Sequence, residues 1–243
     1  MSYCLAINVN RGLVFASDSR TNAGVDYVAT YSKMHRFVWP GERVCVILTA
    51  GSLATSQAVL HAIQSDLENP DAEFDLRAGE HLHQVASYIG RLSQAEQQLH
   101  APALERSQSS AEASFILGGQ TADGPCELYM IYPQGNYISA SEDTPYLQIG
   151  ENKYGKPILD RIITPTTSLE DAGRCALVSL DSTIRSNISV GPPVELAMYQ
   201  EGALEAPYHT KLTPFSPMYK STQKQWNEGL RQTFSHLPRF DWE

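Results

Sequence analysis

The feature that most limits how this chain can fold is the order in which its hydrophobic period changes. Residues 3–9 (YCLAINV) and 12–17 (GLVFAS) are short strand-like runs joined by Asn10-Arg11, the pattern of a tight hairpin. Residues 27–38 and 43–49 predict a second strand pair around the turn Pro40-Gly41. From Ser52 the period lengthens. Leu53, Leu60, Ile63 and Leu67 recur at spacings of seven, three and four, which predicts an amphipathic helix ending before Pro70. Leu82, Val85, Ile89 and Leu92 repeat the pattern in a second helix. Residues 114–140 return to strands, with FILGGQ, ELYMIYP and NYISA separated by Asp123-Gly124 and Gln134-Gly135. A third helix is predicted over 153–163. A fourth begins at Ser168, with Glu170 and Asp171 in its first turn and Ala172, Ala176, Leu180 and Ile184 on one face. A strand, PVELAMY, follows.

Strands, two helices, strands, two helices and a strand bury all their apolar faces as two antiparallel sheets between two helical layers. The expected fold is therefore α+β, a four-layer αββα sandwich. With 243 residues and 42% hydrophobic content the chain can bury a large core in one domain, whereas two domains would each be small, so residues 1–243 read as a single domain. Residues 203–243 are expected to be a C-terminal extension that fits no layer. Tyr208, Phe215, Tyr219, Trp226, Phe234, Phe240 and Trp242 lie in it, and they must pack on this domain or on another subunit.

Several function classes are unsupported. A formal net charge of -9, with 18 scattered Lys and Arg, does not suit nucleic acid. The start MSYCLAINV lacks a basic segment and a long apolar run, so neither a signal peptide nor a membrane span is expected, and the location expected is the cytosol. Cys4, Cys45, Cys126 and Cys175 are far apart in apolar stretches, as buried small hydrophobes would be. The seven histidines form no HExxH-type pair; His81 and His83, two apart, would point in different directions on a helix. Gly118-Gly119 lacks the Gly-Lys-Ser/Thr ending of a phosphate loop, and there is no G-x-S-x-G elbow. No metal or cofactor is expected.

The chemistry that remains is at the N-terminus. A small second residue lets Met1 be trimmed, exposing Ser2 with a free α-amine. Such an amine can take the proton of its own residue's hydroxyl, and its ordinary pKa of about 7.7–8.0 lies close to working pH. A nearby cation keeps it neutral, and an acidic residue must hold that cation. Asp18 and Lys33, on the following strands, suit these parts, although a strand-end turn and a solvated lysine would explain them singly. Thr49-Ala50-Gly51-Ser52 joins a strand to a helix start, where free N–H groups can stabilise an oxyanion.

These residues resemble the proteasome β-subunit superfamily, and more closely the bacterial Anbu proteins, the proposed ancestral β-subunits. The likeness runs through residues 2–4, 15–26, 32–35 and 48–51, then 149–159 and 180–191. It implies that Ser2 is the nucleophile, that Asp18 and Lys33 flank it, and that the Gly51 N–H belongs to an oxyanion hole. It also implies that a peptide binds as an added strand near residues 20–22 and Gly51, and that subunits associate into a ring or helical homo-oligomer. Arg20 is a supporting residue. Glu151 and Ser186 stand where standard β-subunits have a serine and an aspartate, and Ser189 matches a further supporting serine. The altered surroundings, and serine in place of threonine, imply weak or narrow turnover of generic peptides. A non-catalytic scaffold and an amidase acting on a small amide are the alternative readings.

Overall fold

The computed structural model describes residues 2–22, 28–106 and 110–242; Met1, the 23–26 part of the resemblance and Tyr27 lie outside them. The elements in chain order are β1 (Tyr3–Val9), β2 (Gly12–Ser17), β3 (Arg20–Asn22), β4 (Val28–Thr30), β5 (Met34–Trp39) and β6 (Arg43–Gly51). Then come α1 (Leu53–Glu68), α2 (Leu82–Arg106), β7 (Ala113–Thr121), β8 (Glu127–Ile131), β9 (Tyr137–Ser139) and β10 (Tyr146–Gly150). The chain closes with α3 (Lys156–Ile162), α4 (Leu169–Ser186), β11 (Val194–Gln200), β12 (Tyr208–Leu212) and α5 (Pro217–Ser235). One sheet has the order β10-β1-β2-β11-β12 and the other β5-β6-β7-β8-β9, all antiparallel, with β3-β4 a separate hairpin.

Alternation along the strands builds the layers. On β1, Tyr3, Leu5, Ile7 and Val9 face one core, shared with Leu159, Ala176 and Leu180 of α3 and α4. Cys4 and Ala6 face the second core, between the sheets, with Phe15, Val46 and Leu48. Cys45 and Ile47 of β6 face the third, with Val59, Ile63, Val85 and Ile89 of α1 and α2. The αββα sandwich is thus the observed fold. Gly118 shows how closely the sheets approach: a Cβ there would lie 2.6 Å from the Phe15 ring. The Gly118-Gly119 pair is a packing device inside β7.

The helix starting after Ser168 follows its expected cap, and Ser52 caps α1 in the same way. The Ser52 side chain accepts from Thr55 N–H at 3.3 Å, and that of Ser168 from Asp171 N–H at 3.0 Å. Other boundaries differ from the sequence pattern. The strand expected over 27–38 is broken at residues 31–33, where the Ser32 hydroxyl bonds to the backbone of Met34. This break lets Lys33 turn inward. Strand β10, which pairs with β1, is not apparent in the sequence, and α3 starts three residues later than expected. His81 lies outside α2, so its ring stacks on that of His83, 5.4 Å away, instead of pointing elsewhere.

The expectation that the tail fits no layer is overturned. Strand β12 extends the first sheet, and α5 packs against α4. Tyr219 is 2% exposed within the first core, and Gln223 donates to the buried Asp181 carboxylate at 2.5 Å. These contacts predict the effect of Tyr219→Ala: a loss of about 3–5 kcal/mol, by cavity formation in a core that can only partly collapse. Denaturant unfolding measures it. A loss below about 1 kcal/mol would mean that α5 is not anchored there.

Candidate active site

The site begins with how residue 2 is held. The Ser2 carbonyl accepts from Glu151 N–H at 2.8 Å, and Tyr3 N–H donates to Asp18 Oδ1 at 3.0 Å. The Tyr3 carbonyl in turn accepts from Asp18 N–H at 3.1 Å. The first residue of the described chain is therefore clamped between the ends of β2 and β10. The Tyr3 ring anchors it further, its buried hydroxyl hydrogen-bonded to Ser179 at 2.7 Å and accepting from Gln148 at 2.5 Å. Burial raises the Tyr3 pKa, so the phenol stays protonated.

Asp18, 0% exposed, is the centre of the polar network. Its Oδ1 meets Lys33 Nζ at 2.5 Å, and its Oδ2 accepts from Arg20 N–H at 3.2 Å and Gly191 N–H at 3.1 Å. Lys33 Nζ also donates to the Arg20 carbonyl at 2.7 Å, and the residue is 5% exposed. A buried charge pair of this kind is tolerable only because both partners are also hydrogen-bonded to backbone. Its cause in the sequence is local: the short hairpin β3-β4 returns the chain so that Lys33 follows it inward, and Thr49 N–H fixes the Lys33 carbonyl at 3.0 Å.

The remaining expected residues divide into two groups. Gly51 lies at the end of β6 with φ +102°, a backbone conformation that suits glycine, and a Cβ there would be 2.3 Å from the Glu112 carbonyl. Ser2, Lys33 and Gly51 line one small cleft of about 60 Å³ together with Thr21, Thr49, Ala50, Leu53 and Ser56. Arg20 contributes backbone to Asp18 and Lys33, while its guanidinium donates to the Ile188 carbonyl at 2.7 Å. Glu151, 7% exposed, accepts from Asn187 Nδ2 at 2.7 Å, and the Asn187 side-chain oxygen accepts from Ser189 N–H at 2.9 Å. Glu151, Asn187 and Ser189 thus form one chain of contacts joined to Ser2 by the Glu151 N–H. Ser186 stands apart, exposed at the end of α4 and without a hydrogen bond to Asp18 or Lys33.

Asn187, Gly191, Tyr3 and, among the cleft residues, Leu53 and Ser56 were not foreseen from the sequence. Asn187 carried a weak signal, standing just after a helix within the stretch of resemblance. Cysteine chemistry is not available beside this cleft. Cys4, whose S–H donates to the Thr49 carbonyl at 3.4 Å, has its thiol pKa raised by burial, and Cys45, Cys126 and Cys175 are pushed up to about 12 by the same cause. Among the described residues no group of three or more His, Cys, Asp and Glu could hold a metal ion. No helix among them is long and apolar enough to cross a membrane.

The proteasome subunit family model matches residues 2–198. No curated protein sequence matches the chain. Among solved structures, it is similar to Anbu (ancestral beta-subunit) from Yersinia bercovieri, at 39% identity and TM-score 0.92 over 98% of both chains. The Anbu complex of Pseudomonas aeruginosa, described as a helical assembly, matches at 44% identity and TM-score 0.91, again over 98% of both chains. An Anbu (Gly-1) mutant from Hyphomicrobium sp. strain MC1 matches at 38% identity and TM-score 0.91, over 99% of this chain and 100% of that one.

The charge pair yields a stability test. Asp18→Asn leaves a buried ammonium without its counter-ion and is expected to cost about 3–5 kcal/mol. Asp18→Asn with Lys33→Met removes that unpaired charge, so the double variant should be more stable than the sum of its singles by more than about 1 kcal/mol. Additivity within about 0.5 kcal/mol in denaturant unfolding would mean that the two side chains are not coupled.

Proposed function

Because the chain belongs to the proteasome subunit family, alongside the Anbu (ancestral beta-subunit) proteins, we propose that it is an N-terminal-nucleophile peptidase whose reactive group is Ser2 once Met1 has been trimmed. The observation that carries this reading is the buried Lys33 ammonium, held by Asp18 Oδ1, which also accepts from the backbone N–H of Tyr3. That N–H is one peptide unit from the amine that trimming would create.

The chemistry follows from the charge. A neighbouring ammonium disfavours protonation of the new amine, which can then accept the Ser2 hydroxyl proton directly or through a water. The oxygen attacks a substrate carbonyl, and the Gly51 N–H is assigned to stabilising the charge that develops. The tetrahedral adduct collapses to an acyl-enzyme as the leaving amine takes the proton, and water then releases the acid. Arg20, Glu151 and Ser189 keep the surrounding backbone in place; Ser186, being exposed, is assigned no part in the reaction. A peptide binds as a strand along residues 20–22 and Gly51, where main-chain hydrogen bonds give affinity. The protein works as a self-associated oligomer in the cytosol. Turnover of generic peptides is slow, because the carboxylate held by Asn187 replaces the serine of standard β-subunits beside the nucleophile.

Intact mass and an acylating inhibitor test this together. The purified chain should lack Met1, and a β-lactone should add a single adduct that maps to Ser2. Lys33→Ala should slow labelling by roughly 100-fold or more, the usual scale of a lost acid–base function. A chain free of Met1 that takes no adduct at Ser2 would contradict the nucleophile, and in that case the scaffold reading would stand.

A further inference from the structure

The cleft that holds Ser2 is small for a place where a substrate side chain must sit. Its volume is about 60 Å³, against about 370 and 760 Å³ for two grooves elsewhere on the molecule and roughly 300–1,000 Å³ for ordinary ligand pockets. Water-sized groups take roughly 15–30 Å³ apiece, so the cleft holds on the order of two to four of them. Beside Ser2 and Lys33, its described walls are Thr21 on β3, residues 49–51 at the end of β6, and Leu53 and Ser56 on α1. Leu53 is the one large apolar side chain among them.

The wall made by α1 is fixed. Ser52 N–H donates to the Glu112 carbonyl at 2.8 Å, and the Thr55 hydroxyl donates to the Ala111 carbonyl at 2.8 Å. These two bonds tie the start of the helix to the residues just before β7, which is itself paired with β6. Ser56 is 3% exposed, and its hydroxyl is bound back to the Ser52 carbonyl at 2.8 Å. Helix start and strand end thus form one unit, and the cleft cannot widen by a swing of α1 alone. Because this wall is built from residues 49–56, it stays when Met1 is trimmed.

We propose that this cleft admits only a small side chain, that of alanine or serine, on the residue whose carbonyl Ser2 attacks. This rests on the peptidase reading above and narrows it to a substrate class. A peptide lying as a strand between residues 20–22 and Gly51 sends alternate side chains to opposite sides. With its carbonyl at Ser2, the attacked residue turns its side chain in between Thr49, Leu53 and Ser56. One or two heavy atoms fit there, since the carbonyl takes part of the same space. A phenylalanine ring or a lysine chain exceeds it, and leucine meets the Leu53 side chain.

A matched series of short peptide vinyl sulfones tests the size limit on the full chain freed of Met1. The probes are identical except that alanine, serine, leucine, phenylalanine or lysine precedes the electrophile, and labelling is followed by intact mass and mapped to its residue. The alanine and serine probes should modify Ser2 at least tenfold faster than the phenylalanine and lysine probes, since one surplus methylene can already cost that factor in a closed pocket. Leu53→Ala should raise the leucine-to-alanine rate ratio about tenfold, and a ratio does not depend on how much of the variant is folded. Phenylalanine or lysine probes that modify Ser2 as fast as the alanine probe, or a ratio unmoved by Leu53→Ala, would overturn the size limit and leave the nucleophile standing. If neither these probes nor a β-lactone modifies Ser2, the nucleophile is wrong and the size limit falls with it.

Discussion

The structure around residue 2 depends on one buried ion pair. Lys33 and Asp18 meet at 2.5 Å with side chains 6% and 0% exposed. Removing two charges from water is costly, and attraction repays it only where the remaining donors and acceptors are also matched. Here the backbone supplies that matching: Tyr3, Arg20 and Gly191 donate to Asp18, and Lys33 donates to the Arg20 carbonyl. These groups come from the starts of β1 and β3, the end of β2, the break before β5 and the loop before β11. The pair therefore organises five segments at one end of the sandwich. It also leaves a fixed positive charge beside the first residue of β1, and the proposed chemistry depends on that charge.

Much of this architecture could be read from the sequence, because strand alternation and helical spacing arise from burial on each element separately. Tyr3, Leu5 and Ile7 against Cys4 and Ala6 are legible without knowing their partners, and so is the cap at Ser168. Elements whose stability comes mainly from a neighbour were not legible. Strand β10 is five residues that make sense only beside β1, and β12 only beside β11. Helix α5 obscured its period, since its stripe includes Gln223 as well as large apolar residues.

The same division holds at the site. Ser2, Asp18, Lys33 and Gly51 were singled out from residue types and from the resemblance, and Ser2, Lys33 and Gly51 line a common cleft while Asp18 grips Lys33. What could not be foreseen was the connection through Asn187, a side chain that bonds to Glu151 and to Ser189 N–H from outside any regular element. Nor could Ser186 be separated from its neighbours: it lies one residue before Asn187, yet the end of α4 turns it to solvent.

The central claim is electrostatic, and the most direct measurement is the pKa of the α-amine of residue 2 in the trimmed protein, followed by nitrogen NMR of a 15N-labelled chain. Next to the Lys33 ammonium it should fall clearly below the ordinary ~7.7–8.0 of a terminal amine. Lys33→Met should move it back up. An amine that titrates at or above the ordinary value, and ignores the loss of Lys33, would contradict the account.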